Sequence, residues 1–371
     1  MWVLARALYG LKQSPREWYE TLSRWLISQG FVRLESDHSV FINKKTGLIV
    51  PVYVDDLLII GARNSKHIAY LKKALGNRFK MTDLGPCHHY LGMEVTRDRD
   101  NRTLSISQSF YVQKVLDRFG MQDCKPAPTP MDTGIKLEPN KDATVAEVKL
   151  YQAMVGSLMY LAYQTRPDIC FAVVCLSRQN MSPSKEAFGA VKKVLRYLKG
   201  STNAKITYGV GTELEGFTDA DWAGEITSRH STGAYLFSLY GGAISWSSKL
   251  QTCVALSSCE AEYMAQTQAS KEAIWISRLL KELDMGFDLP GTPVTIKADN
   301  QGAIALAKDP KFHSRTKHID VQWHFVREQV EKGMVQFEYC PTNEMAADGL
   351  TKALDKIKFG RFVKMAGLLG M

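Results

Sequence analysis

Four carboxylates stand in settings suited to holding metal. Asp219 lies in Gly216-Phe-Thr-Asp-Ala-Asp-Trp-Ala-Gly224, behind a short apolar lead-in and among small residues. Glu260 sits in Ser257-Ser-Cys-Glu-Ala-Glu-Tyr263, Asp299 closes the β-like run Val294-Thr-Ile-Lys-Ala298, and Asp348 sits in Met345-Ala-Ala-Asp-Gly-Leu-Thr351. An Asp beside a Gly is usually a turn, so each string alone is weak. As a set they carry more. Carboxylates that converge without a counter-ion raise one another's pKa. Two Mg2+ ions about 3.5–4 Å apart remove that repulsion and clamp the attacking and leaving oxygens of a phosphodiester. The four acids therefore read as the ligands and catalytic groups of a metal-dependent nuclease centre, with Mg2+ as cofactor and Mn2+ as its substitute.

A second acidic site is expected at Asp55-Asp56, between the apolar runs of Leu48-Ile-Val-Pro-Val-Tyr-Val-Asp-Asp-Leu-Leu-Ile-Ile60. Adjacent acids between two strands form a plain hairpin turn in many proteins. Rigid flanking strands also fix a carboxylate where a metal and a nucleotide phosphate meet, so Asp55 is expected to hold metal with Asp56 beside it. A third feature is basic. Around Ala190–Lys199 the apolar positions are Val191, Val194, Leu195 and Leu198, which leaves Lys192, Lys193, Arg196 and Lys199 largely on the remaining surface. Such a face either contacts a nucleic-acid backbone or is merely solvated.

The elements that must position these groups follow from periodicity. Trp18, Leu22, Trp25 and Leu26 have helical spacing, with Pro15 near the first turn and Gly30 as a stop. Residues 90–95 read as a strand, and residues 107–119 as an amphipathic helix. Between Cys124 and Asp142 the prolines at 126, 128, 130 and 139 exclude regular helix and suggest a linker. Residues 148–200 read as mostly helical. Strands are expected at 205–208, 214–218, 233–239, 242–246, 293–298 and 334–339. Helices are expected at 260–283, 301–307 and 319–332. Strands followed by alternating helices and strands indicate an α/β sheet.

With 371 residues, 45% of them apolar, the chain exceeds one ordinary core. The net charge of +9 is uneven: +7 over residues 1–130, +5 over 131–212 and −3 over 213–371. The first two parts suit a polyanion and the last suits cations. Seven scattered cysteines without a Cys-x-x-Cys pair argue against a zinc ribbon or a disulfide framework and suit a reducing compartment. The start does not read as a signal peptide, and no apolar run is long enough to span a bilayer. The chain is thus expected inside the cell, not secreted, with no membrane partner.

Many ordered strings resemble the C-terminal half of the Pol polyprotein of copia-type LTR retrotransposons. They are Ala7-Leu-Tyr-Gly-Leu-Lys-Gln13, Tyr53-Val-Asp-Asp56, Tyr90-Leu-Gly-Met-Glu-Val95, Thr165-Arg-Pro-Asp-Ile169, Leu195-Arg-Tyr-Leu-Lys-Gly200, Phe217-Thr-Asp-Ala-Asp-Trp222, Ser257-Ser-Cys-Glu-Ala-Glu-Tyr263, Ala298-Asp-Asn-Gln301, Ser314-Arg-Thr-Lys-His-Ile-Asp320 and Ala347-Asp-Gly-Leu-Thr-Lys352. The resemblance implies a multidomain α+β and α/β chain: a partial reverse-transcriptase palm and thumb over residues 1–125, a linker over 126–147, a helical connection over 148–212 and an RNase H-like α/β domain over 213–371. It implies that Asp219, Glu260, Asp299 and Asp348 are the RNase H acids. It also implies an RNA–DNA hybrid or template–primer as partner, other Pol or Gag parts as neighbours, and a cytoplasmic particle or the nucleus as location.

Several positions depart from the family pattern. The polymerase centre needs a third Asp well upstream of the hairpin, and the single Asp before position 55 is Asp37, in a different family segment. Pro51 lies inside the strand leading to the hairpin, where it removes a ladder donor. Ala187 stands where relatives tend to have His, and Gly349 where a larger apolar residue is usual, which is expected to loosen the helix carrying Asp348. No His lies near Tyr339-Cys340, and His318 comes too early to replace one. The expected activity is hydrolysis of RNA in hybrids beside an incomplete polymerase site. The alternatives are a catalytically silent remnant that only holds nucleic acid, and one piece of a longer active RNA-directed DNA polymerase.

Overall fold

The computed structural model describes residues 8, 10–211, 214–225, 228–283, 293–308 and 320–370. Ala7 and Tyr9 of the first family string, and most of Ser314–Asp320 with His318, lie outside the described residues. The chain forms two compact units, residues 1–91 with 275–289, and residues 92–274 with 290–371.

In the first unit, helix α1 (Ser14–Ser28) opens with Pro15 in its first turn and buries Leu22 and Leu26. Strands β1 (Val32–Arg33), β2 (Val40–Asn43), β3 (Leu48–Tyr53) and β4 (Asp56–Leu57) follow as an antiparallel sheet in that order. Helix α2 (Lys66–Arg78) adds Leu71 and Leu75 to a core with Phe31, Phe41, Leu48, Val50 and Val52. A short strand β5 (His89–Tyr90) ends this part. Pro51 does not break β3. Its carbonyl accepts the Leu58 N–H at 3.1 Å, while Ile49 exchanges both bonds with Ile60 on the same side. The lost donor thus costs one bond toward the short β4 and leaves the pairing with β2 intact.

The second unit begins with β6 (Met93–Asp98), β7 (Thr103–Ser107) and helix α3 (Ser109–Arg118). Helices α4 (Val145–Gln164), α5 (Cys170–Ser177) and α6 (Lys185–Gly200) follow. Thr144 and Glu147 form a capping box that fixes the start of α4. Next come β8 (Lys205–Tyr208), β9 (Glu215–Asp221), β10 (Thr232–Leu239), β11 (Gly242–Leu250) and helix α7 (Ser258–Glu282), which belongs to this unit up to Ile274 and to the first from Trp275. The chain continues with β12 (Val294–Ala298), α8 (Gln301–Lys308), α9 (Asp320–Glu331), β13 (Val335–Tyr339), α10 (Lys356–Met365) and β14 (Leu368–Leu369). The main sheet runs β11-β10-β9-β12-β13. Its first three strands are antiparallel, and β12 is parallel to both β9 and β13. Strands β6, β7, β8 and β14 are consecutive antiparallel members of another sheet.

The division expected at positions 125 and 212 is not where the chain divides in space. One core takes Val112 from α3, Leu158 from α4, Val173 from α5, Leu195 from α6, Leu236 from β10 and Phe362 from α10. The reason lies in α5, whose sequence Cys-Phe-Ala-Val-Val-Cys-Leu-Ser is apolar but for its last residue and which buries Cys170, Ala172, Val173 and Leu176. Trp246 of β11 donates its indole N–H to the Ala162 carbonyl at 2.8 Å, tying α4 to the main sheet. Arg166, fully buried, is held by Asp168 at 2.7 Å and by both the hydroxyl and the carbonyl of Ser201, and Tyr197 donates to the same Asp168. A buried charge of this kind persists only when so completely paired.

The proline-rich segment expected as a linker is irregular, as its composition requires, yet it lies packed along α6. Ala127, Thr129 and Met131 are buried, Arg196 donates to the Lys125 carbonyl at 2.7 Å, and Lys193 pairs with Asp132. Ala187 is fully buried in the first turn of α6. At Gly349, beside Asp348, the space is already taken. A Cβ there would meet the Phe362 ring at 2.3 Å, so the ring fills the volume a larger residue would take. All seven cysteines are unpaired. Among the described residues no helix is long and apolar enough to cross a membrane.

Candidate metal centre

Asp219 occupies the third-last position of β9, opposite Ala234 on β10. Asp299 follows directly on β12. The parallel register pairs Thr295 with Glu215 and Lys297 with Phe217, so the same offset carried two residues further matches Asp299 with Asp219. Both carboxylates are therefore fixed by hydrogen-bonded backbone at neighbouring strand ends. The third member is Glu262, in the first turns of α7. One oxygen from each of Asp219, Glu262 and Asp299 lies within 4.8 Å of the other two.

This corrects the expectation for Glu260. Its carboxylate accepts the Leu256 N–H at 2.8 Å, and its own N–H donates to the Ser257 hydroxyl at 3.2 Å. Ser257-x-x-Glu260 is thus a helix-start motif in which the Glu satisfies a backbone donor. The signal was in the sequence, since the Ser-x-x-Glu spacing assigns Glu260 to the cap and leaves Glu262 for chemistry. Asp348 lies in a 3-10 turn, Ala346–Leu350, beside the group but not within it; its Oδ1 is 2.9 Å from the Lys352 ammonium.

The side chains are pre-positioned by hydroxyls. Thr351 donates to Asp219 Oδ2, and Thr342 donates to Asp299 Oδ2 at 2.8 Å. Asp219 and Glu262 are almost completely buried, and Glu262 Oε2 has no hydrogen-bond partner among the described residues. Burial pushes the Asp219 carboxyl up to about 7, with Asp348 and Asp299 adding to the rise and Lys352 opposing it. Burial likewise raises Glu262, with Asp219 and Asp299 as the charges that add most. Asp221, two residues on, is raised by burial as well. Three converging carboxylates, one of them buried with an oxygen that lacks a donor among the described residues, are the environment of a cation rather than of a salt bridge. Three hard oxygen donors suit Mg2+ or Mn2+.

The Asp55-Asp56 pair is on the hairpin expected for it. Val54 and Asp55 form the two-residue loop between Tyr53 and Asp56. Val54 has φ 51°, a conformation costly for a β-branched residue. Its carbonyl is held by the Trp18 indole at 2.8 Å. Both acids are exposed, and they join no metal-sized group among the described residues. Asp37 is engaged locally, accepting from the N–H and hydroxyl of Ser39 at 2.8 and 2.7 Å. On α6 the basic residues divide: Lys192 and Lys199 are exposed, whereas Lys193 and Arg196 hold the proline-rich segment.

Residues 1–133 match the family model described as reverse transcriptase (RNA-dependent DNA polymerase). The chain is 43% identical over 376 residues to the retrovirus-related Pol polyprotein from transposon TNT 1-94 of Nicotiana tabacum, covering 98% of this chain and 28% of that one. It is 40% identical over 370 residues to the retrovirus-related Pol polyprotein from transposon RE2 of Arabidopsis thaliana, covering 99% and 25%. The chain thus spans little more than a quarter of the length of these curated relatives. Its fold is similar to that of a foamy viral protease-reverse transcriptase solved in complex with an RNA/DNA hybrid. The TM-score is 0.50 at 15% identity, covering 92% of this chain and 39% of that one. The architecture is that of a multidomain reverse transcriptase with an RNase H-like α/β sheet. With both plant polyproteins aligned along almost its whole length, the chain belongs to the Pol polyproteins of copia-type LTR retrotransposons.

Proposed function

We propose that this part of Pol hydrolyses the RNA strand of RNA–DNA hybrids at a two-metal centre held by Asp219, Glu262, Asp299 and Asp348. The observation that carries the reading is the group itself: one oxygen from each of Asp219, Glu262 and Asp299 lies within 4.8 Å of the other two, and the buried Glu262 Oε2 has no hydrogen-bond partner among the described residues. Bound Mg2+ supplies activation of water and stabilisation of the leaving 3′-oxygen. The chain's own residues fix the geometry. The strand ends hold Asp219 and Asp299 rigid, and Thr351 and Thr342 each occupy one oxygen and set the rotamer. The burial of Asp219 and Glu262 keeps bulk water from competing for the cation. Discrimination for a hybrid comes from duplex shape and 2′-hydroxyl contacts rather than base sequence.

Residues 1–91 are read as part of the polymerase palm, with Asp55 and Asp56 as part of a metal site whose third acid is not supplied by residues 1–54. The template–primer is the proposed partner there, and DNA synthesis is proposed only for this segment joined to further Pol sequence. The location proposed is intracellular, in a particle or the nucleus. The test is a substrate panel with Mg2+: end-labelled hybrid, duplex RNA and duplex DNA. Cleavage confined to the RNA of the hybrid, leaving 3′-hydroxyl and 5′-phosphate ends, is expected. A folded chain that binds hybrid and cuts nothing would make this a nucleic-acid-holding remnant.

A further inference from the structure

We propose that the Lys352 ammonium is a resident counter-ion that keeps a second divalent cation out of the space between Asp219 and Asp348 until nucleic acid is bound. The inference rests on the metal-centre reading above. Lys352 Nζ lies 2.9 Å from Asp348 Oδ1 and 4.0 Å from Asp219 Oδ2. The residue before it, Thr351, donates to Asp219 Oδ2, so the backbone that presents the lysine is anchored on the same carboxylate. Asp221 and Glu262 also lie within the field of this ammonium.

The four acids are thus divided. Asp219, Glu262 and Asp299 form one group with a free buried oxygen, able to take a cation directly. The space shared by Asp219 and Asp348 already holds a positive charge. A divalent ion entering it must displace the ammonium or bind against its repulsion, either of which weakens binding. The lysine is equipped to leave: its side chain is 40% exposed, whereas the Asp219 and Asp348 side chains are 3% and 9% exposed. A phosphodiester laid over the centre offers the ammonium another anionic partner. The lysine then moves from carboxylate to phosphate, and the second cation site opens only when there is a bond to cut.

The test is Mn2+ titration of the whole folded chain without nucleic acid, followed by the resonance of free Mn2+. The unmodified chain is expected to show one tight site, lost in Asp219→Asn. Lys352→Met is expected to show a second site, its Kd lower by about tenfold or more. Lys352→Arg, which keeps the charge, is expected to stay at one site. Lys352→Gln gives Asp348 an amide donor and serves if the Met variant does not fold by circular dichroism. Unchanged stoichiometry and Kd in the neutral variants would overturn the proposal while leaving the first site standing. An unmodified chain with no tight site would instead overturn the metal-centre reading, and this inference with it.

Discussion

Glu260 and Glu262, two residues apart on α7, point their carboxylates at different tasks: one at the Leu256 backbone N–H at 2.8 Å, the other at Asp219 and Asp299. Residues two apart on a helix are about 200° apart around its axis, so the two side chains leave on nearly opposite sides. The expected consequence is a clean separation in variants. Glu262→Gln removes tight Mn2+ binding while leaving the fold intact, because an amide keeps the volume. Glu260→Gln retains the metal and lowers stability by about 0.5–2 kcal/mol, the usual cost of a weakened helix cap. Mn2+ titration with thermal unfolding on both variants decides the assignment.

The raised carboxyls tie stability to pH. Asp219 is held near 7 in the folded chain and has an ordinary carboxylate value near 4 when unfolded; Glu262 is raised as well. Between these values the folded state binds protons that the unfolded state does not, so stability falls as pH rises through that window. The metal-free chain is therefore expected to lose Tm from pH 5 to pH 8. Mg2+ takes over the role of the protons, so its stabilising effect should be larger at pH 8 than at pH 6. Thermal scans at several pH values with Mg2+ or a chelator check both signs. A metal effect that grows toward low pH would contradict this electrostatic account.

Much of this was legible in the sequence. Asp219 and Asp299 follow from short apolar runs that end in an acid, since such a run forms a strand and leaves the acid at or near its end. The Tyr53–Asp56 hairpin follows from two apolar runs with no room for a longer loop. The separation of the chain into units was not legible. Prolines between 126 and 139 say that the segment is not helical, but they do not say whether it is free or packed, and Arg196 and Lys193 hold it in place. For the same reason the basic face of α6 was overcounted, because two of its four charges have internal partners. That Phe362 fills the space beside Gly349 was not legible either, because the two are distant enough in sequence to leave no local signal.

That pair makes a sharp packing prediction. A Cβ at position 349 would sit 2.3 Å from the Phe362 ring, which is itself buried. Gly349→Ala is expected to destabilise the second unit by about 1–3 kcal/mol through overpacking. Adding Phe362→Leu should recover part of the loss, so that the double variant is more stable than the sum of the single effects. Strict additivity in denaturant unfolding would mean that the two positions do not compete for space.

The basic helix gives a prediction of a different kind. Lys192 and Lys199 are free of the internal contacts that occupy Lys193 and Arg196. If α6 touches a nucleic-acid backbone, Lys192→Ala with Lys199→Ala should flatten the log–log salt dependence of hybrid binding by roughly 0.9 per lost phosphate contact. Lys193→Ala with Arg196→Ala should act mainly through stability, by releasing the proline-rich segment. An unchanged salt slope in the first pair would make this face merely solvated.

The central claim is that Asp219, Glu262 and Asp299 form a catalytic cation site, and Mg2+-dependent cleavage of an end-labelled RNA–DNA hybrid tests it most directly. The unmodified chain should cut the RNA strand with Mg2+ and stop when a chelator is added. Asp219→Asn and Asp299→Asn, each folded by circular dichroism and each still binding hybrid, should lower the rate by at least about a hundredfold, since each removes a charge that holds the metal. Cleavage by either variant at the unmodified rate, or no cleavage by the folded unmodified chain with Mg2+ or Mn2+, would contradict it.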